Sequence, residues 1–219
     1  MIGFEDVRAS DEIRAYIAKG HANLGVLGFT EHGSSHAMKT AKTAADILAA
    51  LGCEPRQIEL ARIAGYMHDI GNCINRNDHA HTGALMAMAI LRDMGMDPHE
   101  TALVCAAIGN HDEKTGTAVD PVSAALILAD KTDVRRSRVR AQSHADFDIH
   151  DRVNYAVTSS VLEIDVEKRA ITMDIELDDK LCSVMDYFEI FTERMLMCRR
   201  AAKMLGCSFS MRANGSKVI

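Results

Sequence analysis

Pro55-Arg56-Gln57-Ile58-Glu59-Leu60-Ala61-Arg62-Ile63-Ala64-Gly65-Tyr66-Met67-His68-Asp69-Ile70-Gly71-Asn72 is the stretch that decides how this chain is read. Proline suits a first helical turn, because its missing N–H has no intrahelical partner there and its φ is already helical. The spacing then predicts a helix that reaches His68 and stops near Gly71. On a wheel of about 100° per residue from Ile58, Ala64 lies at roughly 240° and Ala61 at roughly 300°, with His68 between them at about 280°. His68 therefore intrudes on the apolar sector. A second intrusion follows the apolar run Ala124-Ala125-Leu126-Ile127-Leu128-Ala129, where Asp130 comes one turn after Leu126. Burying an ionised carboxylate is costly unless it is paired or binds a cation. Two such intrusions into one core are better explained by a shared cation than by separate accidents.

Outward from this stretch the helical period continues in both directions. Residues 10–26 read as a first helix capped by Ser10 or Asp11, and a second runs from Ser34 or Ser35 to Leu51 with a stripe of Met38, Ala41, Ala45 and Leu48. Residues 79–94 and 98–109 follow, and Pro121 opens another helix. After about residue 150 the period becomes two. Leu162, Ile164 and Val166, then Ile171, Met173, Ile175 and Leu177, alternate with polar residues across the turn Glu167-Lys168-Arg169, as in a hairpin with one dry face. A helix from about Asp179 to Leu205 and a strand around Cys207–Met211 complete a β-β-α-β tail. The expected fold is mainly α: a helical domain over residues 1–150 and a small α+β subdomain over 151–219. The 3-4-3-4 apolar spacing of the last helix also fits pairing between chains. A helix covering the hairpin is the preferred reading, because a lone hairpin needs such a cover; a homodimer through this region is the other expectation.

Five places present His or Asp where a helix begins or ends: Glu31-His32-Gly33-Ser34-Ser35-His36, Met67-His68-Asp69, Asp78-His79-Ala80-His81-Thr82-Gly83, Asn110-His111-Asp112-Glu113, and Ala129-Asp130-Lys131. Any one alone is ordinary, since Asp or Asn near a helix end is usually a cap and a single His is usually a satisfied surface or core residue.

Taken in order, His … His-Asp … His … His … Asp resembles the HD superfamily of metal-dependent phosphohydrolases, over roughly residues 20–140. His36-Ala37-Met38-Lys39-Thr40-Ala41 resembles that family's first-His helix, His68-Asp69-Ile70-Gly71 its signature doublet, and Leu128-Ala129-Asp130 its closing Asp. His79 with Gly83 four residues on is similar to the third-His element of the HD-GYP branch and of diadenosine tetraphosphate hydrolases, and Asn110-His111-Asp112-Glu113 to the next. The resemblance implies an HD-type helical domain in which His36, His68, Asp69 and Asp130 hold a first metal. It also implies that Asp69 bridges to a second ion held by His79 and His111, and that His68 and Asp69 are catalytic, with Asp69 orienting an activated water. It implies two divalent ions, iron or manganese favoured; mixed imidazole and carboxylate ligation leaves Ni, Co, Zn and Mg open. His32 competes with His36, and His81 with His79; His36 and His79 are preferred. The chain departs from the family in having Asn72 where many two-metal relatives have Lys, and in lacking Gly-Tyr-Pro after His111-Asp112-Glu113, which disfavours cyclic-di-GMP as substrate.

Lys131, Arg135 and Arg138 recur at helical spacing after Asp130 and are expected to bind a substrate phosphate; a solvated basic helix end is an equal reading. The leading function is hydrolysis of a nucleotide or other small phosphate ester. Two others stay open, a mixed-valence di-iron oxygenase and a sensor or scaffold with a structural metal.

Composition narrows the classes. A net charge of −6 argues against general nucleic-acid binding. Apolar runs are too short to span a bilayer, and the acidic start Met1-Ile2-Gly3-Phe4-Glu5-Asp6 is unlike a secretory signal, so a cytoplasmic location with no membrane partner is expected. The six cysteines form no CxxC pair and read as reduced core thiols.

Overall fold

The structure, a computed structural model, describes residues 1–140 and 149–219. The helical part comprises α1 (Phe4–Ala9), α2 (Asp11–Val26), α3 (Ser34–Ala50), α4 (Pro55–Met67), α5 (His79–Asp93), α6 (Pro98–Gly109) and α7 (Pro121–Lys131), with 3₁₀ turns at Ile70–Cys73 and Arg136–Arg138. After α8 (Ile149–Ala156), strands β1 (Val157–Asp165) and β2 (Ala170–Leu177), helix α9 (Val184–Met204) and strands β3 (Ser208–Ala213) and β4 (Ser216–Lys217) follow.

α7 is the central element. It packs against α3, α4, α6 and α9, and every residue from Val122 to Ala129 is buried. A helix that is apolar all round must be surrounded, and the six-residue run met that requirement. It also means that Asp130, at the end of the run, emerges in the interior. Two close approaches fix its neighbours. A Cβ on Gly65 would lie 2.7 Å from Ala41 Cα, so α3 and α4 touch backbone to backbone. A Cβ on Gly71 would lie 2.1 Å from His79 O and 2.6 Å from Gly83 N. Only glycine lets the turn after Asp69 press against the first turn of α5.

The sheet order is β1-β2-β3-β4, with β1–β2 antiparallel, β2–β3 parallel and β3–β4 antiparallel. The parallel pair requires a crossover, which α9 provides. Ile171, Met173, Ile175, Phe209 and Met211 bury one face. α9 does not lie on the hairpin alone: it packs against β3 and α7, and its Tyr187, Phe191, Met195 and Cys198 belong to one core continuous with the helical part. The helix face that suggested chain pairing is thus occupied within the chain. Three expectations change. α1 precedes the first expected helix. α9 begins at Val184 rather than about Asp179, because Ser183 and Asp186 form a capping box there. The tail is β-β-α-β-β, β4 being too short to leave a pattern.

Candidate metal centre

Each candidate ligand sits at a helix end. His36 is in the first turn of α3, His68 caps the C-terminus of α4 with Asp69 following, His79 opens α5, His111 follows the C-cap of α6, and Asp130 is in the last turn of α7. Side chains there escape the i±4 crowding of a helix middle, so five separate elements can aim at one point.

They do. His36 Nε2 lies 3.2 Å from Asp130 Oδ1 and 3.9 Å from Asp69 Oδ2; His68 Nε2 lies 3.4 Å from Asp69 Oδ2 and 3.7 Å from Asp130 Oδ1. On the other side, His79 Nε2 is 3.5 Å and His111 Nε2 3.8 Å from Asp69 Oδ1. Thus the two oxygens of one carboxylate face two different histidine pairs. All four imidazoles are at most 2% exposed.

Whether this donor set fits metal is tested by its unused atoms. Each Nδ1 has an acceptor: Asp133 Oδ2 for His36 at 2.8 Å, Gly65 O for His68 at 2.8 Å, Arg76 O for His79 at 3.0 Å and Ile108 O for His111 at 2.6 Å. In a neutral imidazole, donation from Nδ1 leaves Nε2 as a lone pair, the arrangement that outer hydrogen bonds impose on metal-binding histidines. Among the described residues, Nε2 of His36 and of His68 are buried without a hydrogen-bond partner, while Nε2 of His79 and of His111 face each other at 3.1 Å, with Arg76 Nη1 3.3 Å from that of His79. Two lone pairs at that separation repel unless a proton or a metal ion lies between them. Ligands on an ion with bonds of about 2.0–2.2 Å stand about 3 Å apart when adjacent, and the spacings match.

Charge asks for the same thing. Burial alone would push the His68 imidazole down, but Asp69 and Asp130 outweigh it and raise it to about 10. Burial would raise Asp130 and Asp69, yet Lys131 and the histidines hold Asp130, and His68 holds Asp69, well below the usual carboxylate range. Burial depresses His79 and His111, which stay neutral near pH 7. The carboxylates demand a cation, and a proton on His68 or a metal satisfies them.

Among the competing residues, His36 rather than His32 reaches the carboxylates; the His32 ring stacks edge-on against His36 at 5.5 Å. His81 is exposed and pairs with Asp78, away from the centre. The three basic residues divide between two cavities, Lys131 and Arg138 lining the one at the centre and Arg135 another. α7 ends at Lys131, so Arg135 and Arg138 do not continue its spacing. Lys131 is buried between Asp130 (2.8 Å) and Glu113 (2.7 Å). Arg138 is buried and donates to the backbone carbonyls of Glu31 and Asp133. Arg135 binds Asp133 and lines a separate cavity with Arg14, His21 and Tyr66.

The centre opens into a cavity of about 490 Å³, walled by residues including Phe29, Arg76, Lys114, Phe191 and Arg194. Phe191 and Arg194 come from α9, so the tail covers the pocket; no local motif marked them. Asp133, fully enclosed beneath His36, was also missed; its only trace is its position three residues after Asp130. The cysteines are all free.

The HD domain family model matches residues 33–190. An uncharacterized protein of Methanocaldococcus jannaschii is 25% identical over 195 residues, covering 78% of this chain and 74% of its own. A crystal structure of a predicted HD superfamily hydrolase from an uncultured Thermotogales bacterium is 28% identical, covering 57% of this chain and 67% of that one with a TM-score of 0.45. The chain belongs to the HD domain family. With its His/Asp cluster, this defines its class as a metal-dependent hydrolase of the HD superfamily. No helix among the described residues is long and apolar enough to cross a membrane.

Proposed function

We propose that the protein is a phosphohydrolase with a dinuclear centre, acting on a small phosphate ester such as a nucleotide. The observation that carries this reading is the division of Asp69: Oδ2 faces His36 and His68, Oδ1 faces His79 and His111. His36, His68, Asp69 and Asp130 would hold one ion; His79, His111 and the other Asp69 oxygen would hold the second, with iron or manganese the favoured metals. When bound, such ions lower the pKa of a water towards neutrality and withdraw charge from a phosphoryl oxygen.

The chain's own residues set up the rest. Asn72 Nδ2 donates to Asp69 Oδ1 at 2.8 Å, fixing the plane of the carboxylate that orients the water. Asp133 fixes the tautomer of His36. Arg76 and Lys114 in the wall favour an anionic substrate over a neutral one, which supports a phosphate ester as substrate. The apolar rings of Phe29 and Phe191 leave room for a non-ionic portion of the substrate.

The test is a panel of nucleotides and phosphate esters offered to protein reconstituted with Mn(II) or Fe(II). Ester cleavage is expected, abolished by Asp69→Ala while the circular dichroism spectrum is retained. A folded, metal-loaded protein that cleaves none of them but consumes oxygen would reverse the assignment.

A further inference from the structure

The basic residues that the sequence offered for substrate are already engaged, which raises the question of what grips the anion. Lys131 and Arg194 share Glu113, and Arg138 is spent on backbone carbonyls. Arg76 differs. It stands in the loop between the turn at Ile70–Cys73 and α5, lines the cavity, and its side chain is 26% exposed. Its Nη1 lies 3.3 Å from Asn72 Oδ1, 3.3 Å from His79 Nε2 and 3.9 Å from Asp69 Oδ1. The guanidinium carbon sits 5.5 Å from the Phe29 ring centroid. Among the described residues, its side-chain contacts with Asn72, His79 and Asp69 all use Nη1, and no carboxylate lies closer to it than Asp69. Anything held by His79 and Asp69 is therefore within reach of this one guanidinium.

We propose that Arg76 clamps the phosphoryl group of the substrate at the His79–His111–Asp69 end of the centre. This rests on the phosphohydrolase reading above. A guanidinium fits the task because its fork of donors takes two oxygens of a phosphate at once, and it is charged at any working pH. The Phe29 ring lies against the guanidinium and Asn72 Oδ1 accepts from its Nη1, so little rotamer freedom is lost on binding. Asn72 thereby links substrate grip to carboxylate orientation: its amide donates to Asp69 while its oxygen receives Arg76.

The experiment compares metal-loaded wild type, Arg76→Gln and Arg76→Lys by metal analysis and by calorimetric titration with inorganic phosphate, alongside steady-state kinetics on the best ester of the panel. Arg76→Gln is expected to keep the wild-type metal content and to weaken phosphate binding on the order of tenfold or more, as loss of a charge-assisted hydrogen bond does. Arg76→Lys, a point charge without the fork, should fall between. Phosphate affinity unchanged in Arg76→Gln would overturn the proposal, as would a loss of bound metal, which would make Arg76 a positioning group for His79. If loaded wild type neither binds phosphate nor cleaves an ester, the phosphohydrolase reading fails first and the proposal with it.

Discussion

Replacing Asp133 removes a carboxylate that four basic groups use at once. It is 0% exposed at its side chain, and it meets His36 Nδ1 at 2.8 Å, Lys39 Nζ at 2.8 Å, Arg135 Nε at 2.9 Å and Arg138 Nη1 at 3.8 Å. Burial by itself would raise this acid, but the hydrogen bond with His36 and the Arg138 charge hold it far below the usual carboxylate range. Removing one partner of a buried ion pair costs about 3–5 kcal/mol. Lys39 is 39% exposed and Arg135 20%, so their share is screened by water and the cost falls mainly on Arg138, which is buried. We therefore expect Asp133→Ala to lose about 3 kcal/mol, or about 6–12 °C of Tm for a chain of this size. Metal affinity should fall by about 10–100-fold, as when an outer partner of a ligating histidine is lost. Asp133→Asn keeps an acceptor for His36 while discarding the charge, so it should recover most of the metal affinity and little of the stability. The stability difference between wild type and Asp133→Asn is full above the unfolded aspartate value of about 3.9 and shrinks as pH falls towards the depressed folded value. Urea unfolding and metal titration measure both quantities. If Asp133→Ala binds metal as tightly as wild type, the outer hydrogen bond to His36 has no role in the centre.

Further outcomes follow from the same geometry. His79→Ala should lose bound metal while His81→Ala, an exposed site, should not; equal losses from both would contradict a role for His79 as the ligand from α5. Because His68 is raised to about 10, metal binding must displace its proton, so apparent affinity should rise with pH from 7 to 9 with proton release seen by calorimetry in two buffers. An affinity flat above pH 7.5 would contradict that charge balance. Arg135→Ala should leave KM for a phosphate ester unchanged, since Arg135 lines another cavity, whereas Arg138→Ala should lower Tm through its lost backbone bonds. Sedimentation should show a monomer if the apolar face of α9 is filled by α7 and β3; a tight dimer would require another surface.

The candidate ligands stood out in the sequence because burying a charge is costly enough to leave a mark. His68 inside an apolar sector and Asp130 after six apolar residues are local violations that a metal explains, and the Gly83 spacing turned out to have a steric reason in the contact with Gly71. Helices with strong caps, such as α6 behind Asp97-Pro98 and α7 behind Asp120-Pro121, also declared themselves. Other features depend on contacts across the chain. Nothing near Arg194 or Phe191 announces that α9 swings over the pocket, since both fit an ordinary amphipathic helix. Asp133 looks like a polar residue after a helix end until α3 is packed beside it. Arg135 and Arg138 do not continue the spacing of Asp130, because the helix stops at Lys131, where Thr132 forms its C-cap. α1, only six residues long, was too short for a period to show.

Metal stoichiometry addresses the central claim most directly. Protein purified without added metal, then saturated anaerobically with Fe(II) or with Mn(II) and freed of excess, should carry two ions per chain by elemental analysis, and Asp69→Ala, which removes both facing oxygens, should carry fewer than one. A wild type that saturates at a single ion, or an Asp69→Ala variant that still retains two, would show that this carboxylate does not join two metals.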